Sequence, residues 1–100
     1  MTMNEILRDI HAMREDLLMF ERKYGVPTEV FYEAYKNGEE PANSSWVLDW
    51  SEWAASYQIL QDRLALFVAE TGHLLKTAQI TNYVDLIERT ARHESIAIYR

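Results

Sequence analysis

Apolar residues at Met3, Ile6, Ile10, Met13, Leu17, Phe20 and Tyr24 recur at alternating spacings of three and four, which places them on one stripe of a helix. Leu7, Leu18 and Met19 widen that stripe, while Arg8, Glu15, Asp16 and Arg22 fall on the wet side. The start is marked by Thr2-x-x-Glu5, whose hydroxyl and carboxylate can satisfy free backbone N–H groups. Gly25 and Pro27 mark the stop, so the pattern predicts a helix over about 3–24. A short second helix is expected over 28–37, with Phe31, Ala34 and Tyr35 on one side and Asn37-Gly38 closing it. Residues 39–45 read as a loop from which Ser44 or Ser45 caps the next helix.

The three-four spacing returns at Trp46, Trp50, Trp53, Tyr57, Leu60, Leu64 and Phe67, broadened by Val47, Ala54, Ile59, Leu66 and Val68. This predicts a helix over about 45–70, stopped by Gly72. Residues 73–80 suit a short helix or an irregular segment, with helix favoured. A last helix is expected over about 82–93, capped by Thr81 or Asn82 and carrying Val84, Ile87 and Ala91 on one face with Leu86 beside it. The tail, Ser95 to Arg100, is a β-former, open to an added strand, a frayed end or a segment ordered by a partner.

These elements make an all-α fold. An antiparallel hairpin of the helices over 3–24 and 45–70 forms its core, joined by the short helix, and 71–100 extends it for packing or association. One hundred residues suit a single domain. The apolar flanks exceed what one hairpin seam can cover, so a homodimer or larger assembly is expected.

Composition narrows the function classes. With no cysteine there is neither a disulfide nor a thiolate metal site, and a cytoplasmic setting is expected. No apolar run approaches the length that spans a bilayer, and Met1 to Asp16 mixes charge through its apolar positions unlike a signal peptide. The net charge of −6 lies entirely in residues 1–53, which hold eleven acids against five bases. That half repels a phosphate backbone and attracts a basic protein, so direct nucleic-acid binding is not expected.

Convergent chemistry is sparse. His11, His73 and His93 lie on separate segments, and the glycines Gly25, Gly38 and Gly72 are too far apart to cradle a phosphate. Glu70-x-x-His73 has the spacing used by carboxylate-bridged metal pairs but lacks a second copy. Arg89 and His93 share a helical face in a way that invites comparison with helical ribonucleases. A small helical enzyme, metal-dependent or ribonucleolytic and using His73 or His93, is therefore the alternative to an interaction protein without cofactor or metal. Trp46, Trp50, Trp53 and Tyr57 are the densest aromatic feature, and Asp49 and Glu52 between them argue against stacking on single-stranded nucleic acid. Packing within the hairpin or anchoring an interface suits them better.

Phe20-Glu21-Arg22-Lys23-Tyr24-Gly25, then Glu29 and Phe31, and later Asp49, Trp53-Ala54 and Tyr57, resemble a family of small helical prokaryotic proteins. Its members carry a Phe-Glu-x-Lys-Tyr-Gly turn followed by a Trp-Ala-x-x-Tyr helix. The resemblance covers about residues 1–70 and implies an antitoxin-like component of a type II toxin-antitoxin pair, neutralising a small toxin by direct contact. No catalytic residue carries over. The chain departs from the family in some thirty residues after Glu70 and in Pro27, where the family more often has a capping serine or threonine. On this reading Glu29, Glu33, Glu39, Glu40, Asp49 and Glu52 steer a basic partner, and Trp46 and Trp50 supply apolar contact.

Overall fold

The computed structural model describes residues 1–98, which contain four α-helices. They are α1 (Met3–Tyr24), α2 (Thr28–Lys36), α3 (Val47–Lys76) and α4 (Tyr83–Ala91), with a single 3-10 turn at Ser44–Trp46 before α3. The fold is all-α, and its residues form two compact units, one of 11–61 and one of 1–10 with 62–100.

In the unit of residues 11–61, the last turns of α1 and the first turns of α3 run antiparallel. Tyr24 meets Trp46 and Asp49, while Phe20, one turn earlier, meets Trp53. The core is Leu17, Phe20, Phe31, Trp53, Ala54 and Leu60. Trp53, 1% exposed, is its centre: Phe31 stacks on it at 3.8 Å, and Tyr24 and Phe20 follow at 5.5 and 5.7 Å. Offset stacking of this kind adds about 0.5–1.5 kcal/mol per pair beyond the area buried. Its indole N–H donates to the Thr28 hydroxyl at 2.9 Å, and that hydroxyl donates to Glu21 at 2.7 Å. Glu21 also accepts from the Thr28 backbone N–H, so a carboxylate from α1 satisfies the start of α2 that Pro27 leaves without a side-chain cap.

In the unit of residues 1–10 and 62–100, Met3, Ile6 and Ile10 pack in a core with Leu74, Ile80, Leu86 and Ile96. Asp9 accepts from Arg63 at 3.0 Å. Thr2 accepts from the Glu5 backbone N–H, which forms half of the expected capping box; the Glu5 carboxylate turns to the Thr2 hydroxyl instead. The tail pairs with the N-terminus as one antiparallel bridge, Thr2 with Ala97, flanked by bonds from Met3 N–H to Ile96 and from Ile98 N–H to Met1. Tyr99 and Arg100, also part of the expected β-former, lie outside the described residues.

Four local expectations are corrected. α3 passes through Gly72 and runs to Lys76, because the turn beyond the glycine buries Leu74, and that burial exceeds the cost of about 1 kcal/mol for glycine in a helix. The residues after Lys76 are a turn: Ala78 takes the left-handed conformation (φ 59°), and Gln79 N–H bonds back to the Leu74 carbonyl. The turn before α3 is capped by Asn43, whose side chain accepts from Ser45 N–H, rather than by Ser44 or Ser45. On α4 the inward residue is Leu86, while Val84 and Ile87 are 58% and 64% exposed. Here Asn82 accepts from Asp85 N–H and the Asp85 carboxylate accepts from Thr81 N–H, fixing the start of α4 so that Leu86 faces in.

Candidate acidic and aromatic cleft

Glu39 and Glu40 follow Gly38, which holds a left-handed φ of 76° while Glu39 N–H bonds back to the Ala34 carbonyl. That closure brings the end of α2 and the acidic loop beside the first turns of α3. Tyr35, Glu39, Glu40, Pro41, Val47, Trp50 and Ser51 line a cleft of about 220 Å³. Glu39 and Glu40 are exposed, and Tyr35 is half-open on the wall. Trp50 is half-buried, with its ring edge-on to Phe31 at 5.3 Å. Its indole nitrogen is shielded from solvent and has no hydrogen-bond partner among the described residues. Leaving such a donor unpaired costs about 1–3 kcal/mol.

Of the eight residues expected to bind a partner, the cleft gathers Glu39, Glu40 and Trp50. Trp46 is 39% exposed and edge-on to Tyr24 at 5.2 Å. Asp49 is occupied within the chain: Lys23 pairs with it and Tyr24 donates to it at 2.7 Å. Hydrogen bonds from Lys23 and then Tyr24 hold the Asp49 carboxyl below its ordinary value. Burial, followed by the bond to Asp49, raises Tyr24, and the bond to Asp49 raises Lys23. Glu29 and Glu33 are exposed on α2, Glu33 pairing with Lys36 at 3.2 Å. Glu52 lines a separate groove of about 300 Å³ with Met13, Asp16, Met19, Ala55 and Ile59.

Sequence reasoning missed Tyr35, Pro41, Val47 and Ser51 as part of a site. Tyr35 is read on one side of α2 with Phe31 and Ala34, and the cleft that it lines with Trp50 is completed by the loop after Gly38.

The histidines lie elsewhere. Glu70 is buried whereas His73 is exposed, and among the described residues no three His, Asp or Glu side chains gather where they could hold a metal ion. Arg89 donates to the Gln79 carbonyl at 2.8 Å and pairs with Glu94 at 3.4 Å, while His93 is exposed in the left-handed turn after α4 (φ 61°). Arg89 therefore serves to tie the turn before α4 to the turn after it. No helix among the described residues is long and apolar enough to cross a membrane. Compared with known proteins, the chain matches no family model, no curated protein and no solved structure.

Proposed function

We propose that this chain is a non-enzymatic interaction protein of the antitoxin-like kind, which binds and neutralises a small basic toxin in the cytoplasm. The observation that carries this reading is the cleft: two exposed acidic side chains, Glu39 and Glu40, and two aromatic residues, Tyr35 and Trp50, line it in the acidic half of the chain. Such a surface suits a basic protein, with charge setting the encounter and the aromatic residues supplying contact. Self-association belongs to the same reading, since Tyr83, Val84 and Ile87 leave an apolar strip open on α4.

Co-expression with the product of the adjacent gene tests it. The expected result is a toxic neighbour whose growth defect is relieved by this chain and which co-purifies with it. A neighbour that is harmless, or that stays toxic beside this chain, removes the antitoxin assignment.

A further inference from the structure

We propose that the outward face of α4 pairs with the same face of a second copy of this chain, antiparallel and about a two-fold axis at Ile87. This deepens the self-association reading and rests on it. α4 buries Leu86 on its inner side, while Tyr83, Val84 and Ile87 each stand more than half exposed on the outer one. The helix is held in that orientation at both ends: Asn82 accepts from Asp85 N–H at its start, and Arg89 near its end donates to the Gln79 carbonyl. It is therefore kept from rolling to hide the strip, and three large apolar side chains are many for a nine-residue helix to leave in water.

Charge selects where two copies can meet. Residues 11–61 hold nine acids against four bases, so copies repel one another through that unit, whereas residues 1–10 with 62–100 hold seven against six. A basic partner is drawn to the first unit and gains little from the second. Shape selects the pairing. Tyr83, Ile87 and Ala91 lie four apart on one ridge of the helix, and a two-fold at Ile87 sets the largest of them against the smallest on the other copy, which is the self-complementarity an isologous contact needs. Glu88 and Arg92, both exposed, put opposite charges along the rim. Area sets the strength. Each copy contributes on the order of 500 Å², at the lower edge of the ~1,000 Å² total of a specific interface, so the dimer is reversible and dilution separates it.

The test uses the full chain in analytical ultracentrifugation over a dilution series. The natural chain is expected to pass from monomer to dimer as concentration rises. Ile87→Glu is expected to move that transition about tenfold or more higher in concentration, and Val30→Glu, at a comparably exposed position on α2, to leave it in place. Because the chain has no cysteine, Ile87→Cys adds a single thiol, and mild oxidation is expected to join two copies through it faster than through Val30→Cys. Both positions are exposed, so circular dichroism is expected to show the natural helix content in all four variants. The inference is overturned if the natural chain stays monomeric at its highest concentration, if it grows beyond a dimer, if Ile87→Glu dimerises like the natural chain, or if the two thiols link at equal rates. A dimer indifferent to Ile87→Glu removes the α4 face and leaves self-association standing, whereas a monomer removes both. Neither outcome bears on neutralisation in the co-expression test.

Discussion

Thr28 carries more of the fold than its size suggests. It is fully buried, accepts from the Trp53 indole and donates to Glu21, so one hydroxyl links three elements of one unit. Thr28→Val keeps the volume and removes both bonds, leaving a buried indole N–H without a partner. A loss of about 1–3 kcal/mol is expected from urea unfolding followed by tryptophan fluorescence, whereas Thr28→Ser loses less. Asp49 gives a signed pH dependence. Its carboxyl titrates lower in the folded chain than the unfolded value of about 3.9, so its contribution is present above that value and is lost as pH falls through the folded one. Tyr24 and Lys23 are both raised, so their contribution is present below their unfolded values near 10 and is lost as pH rises through the folded ones. The Tm gap between the natural chain and Asp49→Asn is therefore expected to be widest near neutrality and to narrow toward both acid and alkali. A gap that persists unchanged at acid pH would contradict the assignment.

At the scale of elements, helix ends were harder to read than helix faces. α2, α3 and α4 close with the same pair of backbone bonds, but the left-handed residue is Gly38 in the first, Ala78 in the second and His93 in the third. Only the first is legible, since alanine and histidine give no warning of a positive φ. Gly72, which looks like a stop, lies inside α3, where an added Cβ meets nothing within 4 Å. Gly72→Ala is thus expected to stabilise the chain by about 1 kcal/mol, and Ala78→Gly by a similar amount, as a rise in Tm by circular dichroism. The face of α4 makes a paired test. Leu86→Ala, at a 7% exposed position, is expected to cost about 2 kcal/mol or more, and Ile87→Ala, at 64%, to stay within about 0.5 kcal/mol. The reverse order would place the helix the other way round.

For the whole molecule, the net charge of −6 and its location in residues 1–53 bear on encounter rather than on fold. Association with a basic partner is expected to slow several-fold as salt rises from about 50 to 500 mM while dissociation changes less, as stopped-flow fluorescence would read. The apolar period determined the all-α class and most of the buried stripe of α1, and Thr2-x-x-Glu5 with Gly25 and Pro27 set its ends, because a long helix with one wet side has a single way to hide that stripe. It also placed Trp46, Trp50 and Trp53 on one line, but their fates diverge into an exposed edge, a cleft wall and the centre of a core. Tertiary structure alone decided that, as it decided the inward turn of Leu86 and the meeting of Tyr35 with Glu39 and Glu40. Periodicity is a property of one helix, whereas burial depends on which neighbour stands opposite. That neighbour is brought into place by turns at Gly38, Ala78 and His93, whose geometry is set by backbone bonds rather than by side-chain pattern.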